Sequence, residues 1–209
     1  MKERILYYIK IYSHYGPFSS PQDIRLTVAV TAGILVLCLL IHFLTKQSAK
    51  DYFFQCATLW YLYVLFSFTV FSRNPSPDYA YQGYLLWSYQ ELLETGRLYV
   101  VFQIVLNCCM LIPLGFLMPF CCPWTRTFSG TVVTGMAVSG AVEAMQLFMK
   151  RGLFEWDDIF HNVIGMVAGY GIYAMFDSKR PWWQRILAVA CEIPIGMVAY
   201  ILAKIKGWI

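Results

Sequence analysis

Six stretches of this chain stay apolar for close to twenty residues, at about 24–45, 52–72, 98–120, 128–149, 158–176 and 186–203. That is the length a helix needs to cross a hydrocarbon core about 30 Å thick. An outer-membrane barrel would show alternating segments of about ten residues, and the chain has none. The pattern predicts an all-α fold, a polytopic membrane bundle of about six transmembrane helices. The third stretch contains Pro113 and Pro119, and the sixth Pro194. Membrane helices tolerate proline where neighbours satisfy the freed carbonyls.

Between the runs the pattern changes. Before the first, Lys2, Arg4 and Lys10 flank Ile5, Leu6, Tyr7, Tyr8 and Ile9. This is too short for a signal-peptide core and predicts an interfacial segment over 1–23, ahead of a single transmembrane bundle over 24–209. Segment 73–97 opens with the turn-forming RNPSPD and continues YQGYLLWSYQELLETG. Its Tyr84, Leu85, Trp87 and Leu92 are expected to rest on the membrane interface. The halves do not resemble one another, which speaks against an inverted-repeat transporter.

Composition agrees with the pattern. The chain is 59% hydrophobic, 18% aromatic and only 13% charged, where a soluble domain carries about 25% charged residues. The net charge of +4 suits the basic flanks of membrane spans. No basic stripe interleaved with aromatics suggests a nucleic-acid partner. The seven cysteines, Cys38, Cys56, Cys108, Cys109, Cys121, Cys122 and Cys191, form no CxxC pair and no zinc spacing. They read as core-filling residues, and neither cofactor nor metal is expected.

Orientation follows from the loops. Loops 46–51, 121–127 and 177–185 hold six Lys/Arg against ten on the other side. A raw count puts the termini inside. KQSAK and SKRPWWQR nevertheless have the form of cytoplasmic hairpins, and the weight given to short loops puts the termini outside.

One region breaks the apolar rule. Ser139, Glu143, Gln146 and Lys150 stand at i, i+4, i+7 and i+11 in the fourth run. Asp158, Asn162, Gly165 and Gly169 repeat that spacing in the fifth, so each set lines one helix face. Gln103 and Asn107 share a face of the third run, and Arg73 closes the second. The expectation is one polar cluster near a membrane surface, formed by Arg73, Asn107, Glu143, Gln146, Lys150, Arg151, Asp157, Asp158 and Asn162. A charge near the bilayer centre costs about 2.5–3.5 kcal/mol on insertion scales, so such groups face a bundle interior or a water-filled cavity. Lys150 can snorkel to the interface, but Glu143 is too short and needs a donor or its own proton. A structural reading stands beside the functional one. Asn107, Gln146 and Asn162 suit interhelical hydrogen bonds, and Gly165 with Gly169 forms a close-packing GxxxG face. Asp157 and Asp158 suit the first turn of a helix, and Arg73 an interface anchor. Glu192 lies nearer the opposite side.

In order, NCCMLIPLG (107–115), SGAVEAMQ (139–146), RGLFEWDDIFHNVIG (151–165) and the tail GMVAGYG resemble the VanZ-like family. Its members typically show Asn–x5–Pro–x–Gly, then Glu–x–x–Gln, then Arg-Gly…Asp-Asp…Asn–x–x–Gly. These positions fall here on Asn107, Pro113, Gly115, Glu143, Gln146, Arg151, Gly152, Asp157, Asp158, Asn162 and Gly165, with Arg73 closing the preceding span. The motifs cover about residues 70–176 of a core spanning about 52–176. His161 departs from the pattern, standing where an aliphatic residue is usual. The resemblance implies a multi-pass protein of a bacterial, Gram-positive cytoplasmic membrane, acting at the cell envelope with its cluster toward the outer leaflet. Founding members are associated with low-level resistance to teicoplanin, a glycopeptide that binds peptidoglycan precursors.

Three functions compete. A non-catalytic envelope protein would bind membrane lipids, lipid-linked cell-wall precursors or a glycopeptide antibiotic, with Arg73, Lys150 and Arg151 holding anionic groups. A membrane enzyme would divide acid and base roles between Glu143, buried, and Asp157 or Asp158, wetter; His161, one turn after Asp157, would enter only as a ligand of a divalent metal. A proton-coupled transporter would use Glu143 as carrier. Whether the protein is an enzyme stays open at this level.

Overall fold

The computed structural model describes residues 20–46, 48–71, 73, 81–176 and 182. Most of the N-terminal segment, the sixth apolar run and Glu192 lie outside the described residues. The fold is all-α and membrane-spanning, as the apolar runs predict. Among the described residues five helices are long and apolar enough to cross a membrane. The chain divides into two compact units, one of Met1–Ala80 with Val142–Phe154, the other of Tyr81–Ala141 with Glu155–Ile209.

The first unit contains α1 (Pro21–Thr45) and α2 (Ala49–Phe66). Ser20 caps α1 by accepting a hydrogen bond from the Asp23 amide at 3.1 Å, and Pro21 supplies a preset first turn. The 25 residues of α1 reach about 37 Å. Leu26, Val28, Val36, Leu40, Phe43 and Leu44 are exposed on it, as a lipid-facing helix requires. Lys46, in a left-handed conformation, ends α1. Ser48 then caps α2 through the Asp51 amide. The helices pack through Thr27, hydrogen-bonded to the Tyr63 hydroxyl at 2.9 Å, and Trp60, whose indole donates to Thr31 at 3.2 Å. α2 runs into a π-helical turn, Ser67–Phe71.

The second unit contains α3 (Trp87–Thr95), α4 (Leu98–Met110), α5 (Ile112–Cys121) and α7 (Trp156–Phe176). α6 (Phe128–Phe148) begins in this unit and contributes its last residues, from Val142, to the first. The third apolar run is thus two helices, broken at Leu111 where Pro113 cannot donate an amide. α7 packs on that break. A β-carbon added at Gly165 would fall 1.8 Å from the Cys108 carbonyl oxygen, and one at Gly169 would fall 2.0 Å from that of Ile112. Only glycine lets the backbones approach so closely, which is the close packing that the GxxxG spacing suggests. Leu92, Val100, Ile104 and Cys108 form a buried apolar cluster with Tyr89, Tyr99, Val101 and Ile164 packed against it. This cluster fastens α3 to α4 and α7.

Some expectations are corrected here. Trp87 is half-buried and Leu92 buried, so of the four residues placed on the interface only Tyr84 and Leu85 are exposed. Gln103 is exposed while Asn107 is half-buried, so the two do not share an inward face. Lys150 is not on the α6 stripe: the helix ends at Phe148 and Lys150 takes a left-handed φ of 55°.

Candidate functional site

The nine residues of the expected cluster fall into two sets, each built within its own unit. In the first unit, the end of α2 is the scaffold. A helix ends with carbonyls that lack helical partners, and here two long polar side chains supply donors. Gln146, buried on α6, donates from Nε2 to the Thr69 carbonyl at 3.0 Å. Arg151 donates from Nη1 to the Val70 and Phe71 carbonyls at 3.2 and 2.6 Å. A cation at the negative end of a helix is also favoured by the macrodipole. The Thr69 hydroxyl turns back to the Leu65 carbonyl at 2.7 Å.

Gly152 explains the Arg-Gly pair. A β-carbon there would lie 2.9 Å from Gln146 Oε1 and 3.2 Å from Arg73 Nη1. Its missing side chain leaves the Arg73 guanidinium and the Gln146 amide room against the backbone. Arg73 and Lys150 are exposed and Arg151 half-buried, so three cations occupy one stretch of this unit. Glu143, one turn before Gln146 on α6, is only 1% exposed.

In the second unit the polar groups stitch helices together. Asn107 on α4 donates to Asp158 on α7. Asn162 donates to the Ser139 hydroxyl on α6 at 2.8 Å. Asp157 is completely buried. Its Oδ1 accepts from the Leu86 amide and its Oδ2 from the Ser88 amide, the latter at 2.8 Å. Leu86 is the N-terminal cap of α3, and its own side chain makes no capping hydrogen bond. Asp157 thus stands with Asp158 in the first turn of α7, as its acidic character suggested, and its carboxylate caps a second helix about 70 residues away in the chain. The wetter carboxylate expected of an acid–base pair is not Asp157.

His161 is buried and shares a 3.1 Å hydrogen bond through Nε2 with the Tyr89 hydroxyl. Burial pushes the Tyr89 phenol up to about 12, with Cys108 and Asp157 adding to the effect, so it stays neutral at physiological pH. His161 Nδ1 and Asn162 Oδ1 have no hydrogen-bond partner among the described residues. No group of three or more metal-ligating side chains occurs among the described residues.

Sequence reasoning missed Tyr89 and the backbone groups: the carbonyls at the end of α2 and the amides at the start of α3. Gly152 was named only as a motif position. The Arg-Gly dipeptide was its one signal.

No curated protein sequence and no solved structure matches the chain. A family model described as VanZ/LLP1 matches residues 33–177, well over half the chain and including both polar sets. This multi-pass helical membrane protein belongs to the VanZ/LLP1 family.

Proposed function

We propose that the protein is a non-catalytic component of a bacterial cell envelope that holds anionic headgroups through the cations of its first unit. The ligand class is a membrane lipid or a lipid-linked cell-wall precursor, presented at the outer leaflet of the cytoplasmic membrane. Arg73 and Arg151 receive the phosphate, since a guanidinium offers paired donors in a fixed plane. Arg151 uses Nη1 on the end of α2, and among the described residues its Nε and Nη2 have no hydrogen-bond partner, which suits them to a ligand. Lys150 adds a point charge. One observation carries this reading: the chain omits a side chain at Gly152 where one would press on both Gln146 and Arg73. Competition for headgroups or precursors is the route by which such a protein would lower sensitivity to teicoplanin.

The test is binding by full-length protein in nanodiscs, with a polyprenyl-diphosphate-linked precursor as the probe. Arg73→Gln should weaken binding about tenfold or more, the scale of one lost charge-assisted hydrogen bond. Unchanged affinity in Arg73→Gln and Arg151→Gln would sink the reading. Expression should raise the teicoplanin concentration needed to stop growth more than that of vancomycin. An unchanged value rejects the resistance role.

A membrane enzyme is the second reading, favoured by Glu143, a carboxyl group almost wholly buried inside a spanning helix. Steady multiple turnover of the same precursor, abolished by Glu143→Gln, would replace the first reading with this one.

A further inference from the structure

We propose that the turn Gly83–Leu86 is a lipid-contacting wedge set at the membrane–water boundary, and that Asp157 is the positioning residue that sets it. The partner is the interfacial layer of the bilayer itself.

Three observations within the second unit converge on this. The first is exposure: Tyr84 is 78% exposed, Leu85 58% and Leu86 46%, three consecutive large side chains in a turn outside the spanning helices. The second is backbone strain. Leu86 adopts φ 66°, ψ 19°, a left-handed conformation that a leucine rarely takes. Such a conformation persists only where its surroundings hold it. The holder is Asp157, which accepts from the amides of Leu86 and Ser88. The Leu92–Val100–Ile104–Cys108 cluster and the His161–Tyr89 hydrogen bond then fix α3 behind the turn.

The third observation is depth. α7 spans 21 residues, about 31 Å at 1.5 Å per residue, which matches the hydrocarbon core. Its second residue is Asp157, so that carboxylate marks one boundary of the core. The Leu86 amide, bonded to it, lies at the same level. Tyr84 and Leu85 extend from that point, and Trp156, 40% exposed, stands beside it in the chain. Tyrosine and tryptophan favour this layer, where the ring meets acyl chains and the polar atom meets headgroups. α3 exposes Gln90, Leu93 and Glu94 and turns Leu92 inward. A strained turn that faced only water would gain nothing from presenting leucines there. Facing the bilayer, it recovers apolar burial for Leu85 and Leu86.

The test uses the full chain in nanodiscs of phosphatidylglycerol and phosphatidylethanolamine. A photoreactive benzoylphenylalanine replaces Tyr84 in one sample and Glu94 in another, and adducts are read by mass spectrometry. The expected result is lipid acyl adducts at position 84, with at least fivefold fewer at 94. Adducts to another copy of the chain, no lipid adduct at 84, or equal yields at both positions would overturn the wedge. Asp157→Asn should lower the yield at 84 several-fold. Adding Leu86→Gly should restore it, because glycine holds the left-handed turn without a clamp. An unchanged yield in Asp157→Asn, or no rescue by Leu86→Gly in folded protein, would overturn the positioning role.

Discussion

The end of α2 and the start of α7 both gather polar side chains in apolar surroundings, yet they use them differently. Around α2, Gln146 and Arg151 donate to carbonyls that the helix leaves open, and the nearby cations remain partly accessible. Along α7, Asn107–Asp158, Ser139–Asn162 and the Asp157 cap tie polar side chains to other helices. A polar residue in a membrane helix therefore carries two meanings. Where it is buried and bonded to another helix, as Asp157 and Asn162 are, it is a fastener. Where it is a cation left partly accessible, as Arg73 and Arg151 are, it is the group on which the proposed ligand reading rests. In the sequence the two sets look alike, because both answer the same demand that no buried polar atom go unpartnered.

Several substitutions would break or sharpen that contrast. The largest effect belongs to Gly165→Leu. Even a β-carbon would overlap the Cys108 carbonyl oxygen, so we expect a loss of about 3 kcal/mol or more, a drop in Tm of about 6–12 °C in detergent. Asp157→Ala should follow, at about 2 kcal/mol, because two amides at the α3 terminus lose their acceptor. Thermal unfolding would register both, while precursor affinity per folded molecule should stay within about twofold. If Asp157→Ala instead abolished binding and spared Tm, the fastener assignment would fail. Arg73→Gln should show the reverse profile, a Tm shift within about 2 °C and affinity down about tenfold. Lys150→Gln should cost less, about threefold, with the loss fading at high salt as screening removes the contribution of an exposed charge.

The smallest effect concerns pH. The folded Tyr89 phenol titrates near 12, above its usual 10.0. Below about 10 both folded and unfolded forms keep the proton, and the contribution of this group to stability does not change with pH. Above it the unfolded chain releases the proton first, so stability falls from about pH 10 toward 12. Tyr89→Phe should shrink that alkaline fall in a pH series of melts. An identical fall in the variant would place the alkaline sensitivity elsewhere.

The span positions were legible from the sequence to within a few residues. The runs expected at 24–45, 52–72, 98–120, 128–149 and 158–176 appear as Pro21–Thr45, Ala49–Phe71, Tyr99–Cys121, Phe128–Phe148 and Trp156–Phe176. Lipid forces this agreement, because a crossing segment must be long, apolar and self-satisfied in its backbone. The break at Leu111 was only hinted at by Pro113. The departure of Lys150 from the stripe was not legible, since periodicity continues on paper after a helix has stopped.

The polar residues divide along the same line. Spacing alone placed Asp158, Asn162, Gly165 and Gly169 on one face, named Asn107 and Asn162 as groups suited to interhelical hydrogen bonds, and left Glu143 in need of a donor or its own proton. Which partners they found was decided by tertiary structure. Asp157 lies beside Asp158 in sequence, yet one caps α3 and the other accepts from Asn107. A side chain carries its hydrogen-bonding capacity wherever it goes, and that capacity can be read from its name. The atoms that meet it depend on which distant backbone arrives within 3 Å, and only folding sets that distance.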